Sequence, residues 1–545
     1  MTSVRNSPLV YLAALAVALA SPGVRATPAA AAAEAHAHRA TRTPVLPAPP
    51  EGTVGNVPRF TLFGWVSPPL AMTTPAHYAD MAAAGFNPTL LAFDDSGSVA
   101  DNRVRLGVTR PLGMRDLLLD NRLDSVFAAV PSSWPIADSI ATAYRDDPAF
   151  TGYYLGDEPP DSTFGRLAEW FSLLRQRDPG HPSWNSLVGR MGFPSHAAYE
   201  DYTRRYVAAV RPSILCNSQY DFNTAGDLHE LTENVSTLAG IARDNHRPFW
   251  GVVLLLEHGP FRYVTDGMLR WQVAQWIAYG ATGVGYFTYW TPAPDPWHGW
   301  HTAMVTWDTG APTAMYDTVT AINRHLAPIG NTLAGATWLA TEHAGSVPPY
   351  GTPFAPNSVV ASVTGRATVG FFADSAGAPL VFVANADSVD RRVIGVGAAG
   401  GRTVERLMDD GGGWSPWSQF ADGTTLLSLG PGDFALLRFS GTVDPVTLDA
   451  PRAGPGSRAR LDVLPNPARG AVRFAVSGGT PGSRLVLLDL AGRRIWSTVC
   501  AGTTATLEWR GEREQGGSAP AGFYVARYED GRGAAVRRVH WLGAR

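Results

Sequence analysis

Two glutamates stand where apolar runs of strand type come to an end. Glu158 closes Phe150-Thr-Gly-Tyr-Tyr-Leu-Gly-Asp-Glu-Pro159, and Glu257 closes Phe249-Trp-Gly-Val-Val-Leu-Leu-Leu-Glu-His258. If both runs belong to one parallel barrel they are its fourth and seventh strands, and both carboxyls project into the mouth where such barrels carry their chemistry. Two carboxyl groups facing each other across a sugar are the minimal machinery for breaking a glycosidic bond. Their surroundings divide the work. Glu158 lies among Tyr153, Tyr154 and Pro159 with a second carboxyl, Asp157, beside it, so its proton is held toward neutral pH as a general acid requires. Glu257 would stay ionised and attack the anomeric carbon or stabilise the cationic transition state, with Glu158 then activating water. Plainer roles compete: Glu158 as a charge on the dipole of the following helix, and Glu257 as a loop ion pair with Arg262.

Sugar rings present C–H faces that pack on indole and phenol rings while their hydroxyls bond polar neighbours. Trp290, ending Gly285-Tyr-Phe-Thr-Tyr-Trp290, is the aromatic expected to floor such a site, and Trp65, Trp134, Trp297 and Trp300 could extend it. Polar candidates at the rim are Asp94, Asn185, Asn217, Gln219 and Tyr220, the last placed to bond Glu257. Ordinary loop packing is the alternative for each. His258, Asp295, His298 and His301 crowd the chain near Glu257, but their spacing fits no compact zinc motif, and no metal is expected.

The elements that must position these groups recur with βα spacing from about residue 59. Strands are expected at 59–67, 88–94, 125–131, 151–156, 182–187, 214–219, 249–256 and 283–289, with helices between them at, for example, 164–177, 197–210, 228–243 and 267–279. Ala83-Ala84-Gly85 and Ala278-Tyr279-Gly280 are helix stops. Eight repeats over some 270 residues predict an α/β fold, a (β/α)8 TIM barrel, occupying 57–335 with a closing helix near 314–326. No glycine-rich phosphate loop follows the first strand, and no cofactor is implied. Beyond about Leu333 short alternating runs broken by Gly, Pro and Asp predict a β-sandwich over 336–441, then a linker at 442–460 and a second all-β module over 461–545.

Composition excludes several classes. A net charge of -3 gives no case for nucleic acid. All 44 basic residues are arginine, which removes every mechanism that needs a lysine Schiff base. Residues 1–26, with an apolar run from Leu9 to Ala20 and Val24-Arg25-Ala26 at the cleavage spacing, read as a secretory signal peptide, and 27–56 as a flexible tether. No later stretch is long enough to span a bilayer. Cys216 and Cys500 fall in different modules and are expected to be unpaired.

Placed after strands four and seven of such a barrel, Glu158 and Glu257 give residues 59–335 a resemblance to the clan A retaining glycoside hydrolases, especially their β-galactosidase-like and cellulase-like members. The resemblance implies Glu158 as acid/base, Glu257 as nucleophile, Trp290 as floor tryptophan and an oligo- or polysaccharide substrate. Two positions depart from it: Asp157, expected to touch the substrate, stands where the clan usually has the Asn that bonds the sugar 2-hydroxyl and can accept but not donate that bond, and Phe93-Asp94-Asp95 stands where it often supplies Arg. The last module, with Leu464-Pro-Asn-Pro-Ala-Arg-Gly470, Leu485-Val-Leu-Leu-Asp-Leu-Ala-Gly-Arg493 and Ala519-Pro-Ala-Gly-Phe-Tyr-Val-Ala526, resembles the Ig-like C-terminal sorting domains of secreted bacterial proteins. That implies export or surface-attachment machinery as a partner and a secreted or cell-surface location. Against a secreted glycosidase stands a second reading: a noncatalytic carbohydrate-binding protein on a barrel that has lost turnover.

Overall fold

The computed structural model describes residues 59–90, 97–126, 133–408, 413–443, 460–464, 466–477, 480–489, 493–502, 504–530 and 533–543. The expected signal peptide and tether, and Asp94, lie outside them. Among the described residues eight parallel strands close into a barrel in the order β1 to β8. They are β1 (Thr61–Trp65), β2 (Thr89–Leu90), β3 (Asp116–Leu118), β4 (Phe150–Asp157), β5 (Ser183–Val188), β6 (Leu215–Ser218), β7 (Phe249–Leu254) and β8 (Gly283–Phe287). Eight helices alternate with them: α1 (Pro75–Ala83), α2 (Val99–Thr109), α3 (Trp134–Tyr144), α4 (Phe164–Arg177), α5 (His196–Val210), α6 (Leu231–Asp244), α7 (Asp266–Ala278) and α8 (Ala314–Leu333). Gly85 and Gly280 end α1 and α7 with φ of 88° and 89°, a left-handed conformation that costs glycine nothing.

One strand is not where the pattern put it. The third in the barrel is Asp116–Leu118; Asn121–Val126, at the start of the expected strand 125–131, is a 3-10 turn, and 127–131 lie outside the described residues. Asp116 and Asp120 are both buried and bonded inside the protein through one oxygen each to a helix side chain: Asp116 Oδ2 accepts from Thr109 Oγ1 at 2.5 Å, and Asp120 Oδ2 from Tyr144 Oη at 2.5 Å. Trp134 consequently starts α3, where Arg177 sits 4.5 Å over its ring, and it belongs to the helical layer.

Period-two alternation decides what fills the barrel. Phe63, Trp184 and Trp250 point inward and meet at ring separations of 5.4 to 5.8 Å. They fit because β8 offers no side chain at two inward positions. A Cβ on Gly283 would lie 2.4 Å from the Trp250 ring, and one on Gly285 2.3 Å from the Phe63 ring. Above this layer Trp65 packs on Tyr154, Trp184 and Phe287 at 5.6, 6.5 and 6.4 Å and closes the bottom of the mouth.

Residues 337–439 form two antiparallel sheets, of three and six strands, as the pattern predicted. They extend the barrel's hydrophobic core through Phe372, Leu380, Phe382, Phe434 and Leu436. Thr341 Oγ1 donates to the last carbonyl of α7 at 2.6 Å, and Thr368 Oγ1 to Gln275 Oε1 at 3.1 Å. Residues 460–543 make a separate unit of two antiparallel sheets around a core of their own that includes Phe474, Trp509 and Trp541. Cys216 and Cys500 are both free and buried. No helix among the described residues is long and apolar enough to cross a membrane.

The aromatic layer over glycine gives a stability prediction. Gly285→Ala must displace a ring locked on all sides, so denaturant unfolding should show a loss of about 1–3 kcal/mol. An unchanged midpoint would mean that the layer is not close-packed.

Candidate active site

The end of β4 is built around a break in alternation. Tyr154 pairs with Trp184 and Asp157 with Ser186, so three steps along β4 match two along β5. Such a bulge moves every following side chain to the other face. It depends on Gly156, whose φ is 106°. Asp157 thereby lands on the inside, opposite Ser186, where uninterrupted alternation would have put Gly156. Glu158 then turns with a φ of 43°, and its N–H donates to Ser186 O at 2.8 Å. A left-handed non-glycine residue costs on the order of 1–3 kcal/mol and persists only where its surroundings impose it. Here Asn185 Nδ2 donates to Gly156 O at 3.0 Å and Tyr202 Oη to Pro159 O at 2.7 Å, strapping the turn from both sides.

Both carboxyls keep some access to the mouth yet have protein on most sides, and that low-dielectric setting governs their protonation. Burial pushes Glu158 up to about 7. Burial, and then the neighbouring Glu158, push Asp157 well above the usual carboxylate range, outweighing the opposing pull of Tyr154, the Glu158 backbone and Ser186. The first helical turn after this segment starts at Asp161, beyond two prolines, so Glu158 is not a helix-terminal charge.

The end of β7 is held differently. The N–H groups of Leu255 and Leu256 both donate to Phe287 O at 2.9 Å, tying the chain before Glu257 to β8. Glu257 O accepts from His301 N at 3.1 Å, and its carboxylate lies 3.7 Å from His301 Nδ1. Arg262, the alternative partner, instead pairs with Asp227 at 2.8 Å. Next to Glu257, His258 is buried, its Nδ1 bonded to Leu256 O at 2.7 Å, and burial pushes it down to about 4. Its ring faces Phe287 at 5.2 Å and Trp300 at 5.0 Å. Asp295 organises the β8 loop by accepting from Trp297 N, His298 N, His298 Nδ1 and Trp300 Nε1 at 2.6 to 2.8 Å. Burial alone would raise its pKa, but those bonds outweigh it and hold it at about 2. The loop leaves Trp297 83% exposed.

The other expected site residues divide by parity. Tyr220 is in the mouth: Asp157 and Glu158 both raise its hydroxyl pKa after burial does, and its ring packs on Phe287 at 6.0 Å. It makes no hydrogen bond to Glu257. Asn217 faces the helices, bonding Tyr199 Oη at 2.8 Å and Asn234 at 2.9 Å. Asn185 also faces outward, accepting from Tyr206 Oη at 3.1 Å while it supports Gly156. Gln219 is spent on Met191 N and Asp221. Trp290 is only 3% exposed; it packs on His77 at 5.3 Å and donates to Trp307 O, so it anchors the β8 loop and offers no open floor. The inward residues on β5 and β6 are Ser186 and Ser218, whose hydroxyls lie 3.1 Å apart. Counting in twos from Trp184 would have found Ser186. His301, legible only as one of the histidines near Glu257 in the chain, is brought to that carboxylate by a loop.

These features define a class: a parallel (β/α)8 barrel with a carboxyl cluster and an aromatic base at its C-terminal mouth. Comparison with solved structures aligns the chain with glycoside hydrolases. One is a family 39 glycoside hydrolase from the gut symbiont Bacteroides cellulosilyticus, at 13% identity over 71% of this chain and 81% of that one, with a TM-score of 0.44. Another is a family 5 glycoside hydrolase from Bacteroides vulgatus, at 13% over 70% and 90%, with a TM-score of 0.46. A glucosidase from Croceicoccus marinus aligns at 12% over 83% and 92%, with a TM-score of 0.37. No family model matches the sequence, and no curated protein matches it.

The surroundings of His258 give a direct check on the site. Its ring should remain neutral at pH 6, with the proton on Nδ1 facing the Leu256 carbonyl, in an NMR titration. A midpoint near the ordinary 6.5 would contradict its burial between β7 and the β8 loop.

Proposed function

We propose that the chain is a secreted glycoside hydrolase that cleaves β-linked O-glycosidic bonds by a two-glutamate retaining mechanism. The observation that supports it most is the unequal pair at one mouth: Glu158, held protonated toward neutral pH by burial, and Glu257, half-open beside His301. Glu158 protonates the leaving oxygen while Glu257 attacks the anomeric carbon. Glu158, having lost its proton, then draws one from the water that releases the sugar. Trp65 and Tyr154 form the apolar base on which a sugar face would rest. Neutral His258 and Trp300 wall the Glu257 side. The N-terminal segment would export the protein after cleavage behind Ala26, and 461–545 would engage sorting or surface-attachment machinery. An exported protein whose first residue is not Thr27 would refute the cleavage.

The test is a panel of aryl β-glycosides and polysaccharides. Turnover should follow protonated Glu158, so kcat/KM should fall tenfold per pH unit above about 7. Glu257→Gln should remove nearly all turnover. Glu158→Ala should cost far more on poor leaving groups than on activated aryl glycosides, with partial rescue by azide. Equal losses on both substrate types without rescue would remove Glu158 from the acid/base role. Retention on an immobilised polysaccharide without turnover of any glycoside would favour the noncatalytic reading.

A further inference from the structure

Side chains near Glu257 that could donate to its carboxylate are committed elsewhere. Arg262 pairs with Asp227, and His258 uses Nδ1 on Leu256 O. Among the described residues the one ion-pair partner of Glu257 is His301, whose Nδ1 lies 3.7 Å from Oε2. The backbone fixes that neighbour. His301 N donates to Glu257 O at 3.1 Å and Gly259 N to His298 O at 2.8 Å, so the β8 loop runs bonded beside the end of β7. On one side of His301 the loop is held by the four donors gathered on Asp295, at 2.6 to 2.8 Å, and on the other by Ala303 N, which donates to Thr291 Oγ1 at 2.8 Å. The imidazole itself is 63% exposed and makes no hydrogen bond among the described residues. At 3.7 Å it is too far for a hydrogen bond to Glu257, but rotation of an exposed side chain on a fixed backbone closes such a gap, and catalytic contacts commonly tighten when substrate binds.

We propose that His301 is the positioning residue of Glu257: its Nδ1–H bonds an oxygen of the glutamate and stabilises the carboxylate as it departs from the sugar. The inference rests on the glycosidase reading and concerns the second step of that reaction. There water attacks the anomeric carbon and gives its proton to Glu158, while the bond from that carbon to Glu257 breaks and its electron pair returns to the carboxylate. A donor that meets the returning charge lowers this barrier, because it is worth more in the transition state than in the uncharged ester before it. In the first step the same donor holds a carboxylate that is losing charge, and it gives no comparable help. Nδ1 can donate from one neutral tautomer of an imidazole and from the cation, so the role does not depend on a charge on His301. An exposed ion pair with no such task would be worth little, and removing it would leave the two steps in the same proportion.

The test compares His301→Ala and His301→Asn with the wild-type full chain on an activated aryl β-glycoside, whose first step is fast. His301→Ala should lower kcat by roughly 10- to 100-fold, the range for a lost hydrogen bond to a charged group, while kcat/KM, which reports the first step, changes by less than about threefold. KM should fall together with kcat, and a burst of released aryl alcohol should show the glycosyl intermediate accumulating. His301→Asn, whose amide nitrogen can stand where Nδ1 stood, should recover most of the lost kcat. An unchanged kcat, equal losses in kcat and kcat/KM, or an Asn variant as slow as the Ala one would overturn the proposal. Should His301→Ala fail to fold, His301→Leu removes the donor while keeping the bulk, and the same outcomes decide. If the wild type turns over no glycoside, the glycosidase reading fails and this inference with it; turnover without the split between kcat and kcat/KM overturns this inference alone.

Discussion

The constraint on which the site depends is the one-residue bulge at the end of β4. A barrel strand allots alternate residues to inside and outside, and without the bulge the positions after Tyr154 would send Gly156 inward and Asp157 out among the helices. The extra residue puts Asp157 opposite Ser186, lets Glu158 turn over the rim, and leaves both carboxyls in surroundings that resist charge. Asn185 and Tyr202, neither of which enters the mouth, hold the carbonyls on either side. A local break in regular structure is thus supported from β5 and α5, which are regular and well packed.

The rest of the barrel supplies rigidity and polarity in separate layers. The tryptophan and phenylalanine rings below the mouth pack against one another, and glycines on β8 let them interlock. Above them the β7 and β8 ends are joined by the double use of the Phe287 carbonyl and by the His301 and His298 contacts, so Glu257 is carried by a paired loop and not by a free one. Asp295 plays for that loop the part that Asn185 plays for Gly156, gathering backbone and side-chain donors into one turn. The two acidic clusters therefore differ in kind: Asp295 is saturated with donors and held ionised, whereas burial and Glu158 outweigh the donors that reach Asp157 and push its carboxyl well above the usual range.

Much of this was legible in the sequence, for reasons that also explain the rest. Strands such as Phe249–Leu254 and helices such as Asp266–Ala278 announced themselves by period, the helix also by its glycine stop at Gly280. The short β3 did not, because the run of leucines is flanked by aspartates, and only the fold reveals that Thr109 and Tyr144 each bond one of them from a helix. Asn185 and Asn217 were placed at the mouth by their polarity alone; strict alternation from Trp184 and Cys216 assigns both to the helical side. Trp290 lies where a strand-eight aromatic was expected, but the β8 loop folds over it. The bulge could be suspected from Gly-Asp-Glu-Pro, since glycine before two carboxyls and a proline cannot continue a buried strand, but its direction depends on pairing with β5.

The central claim is that Glu257 and the Asp157–Glu158 segment do different chemistry across one sugar. The most direct measurement is covalent trapping with a 2-deoxy-2-fluoro glycoside bearing an activated leaving group, followed by mass analysis of the labelled peptide. Attachment of the fluorosugar to Glu257, with Glu158 and Asp157 unmodified, is the predicted result. A label on Asp157 or Glu158, or turnover that releases product of inverted configuration with no label at all, would contradict the account.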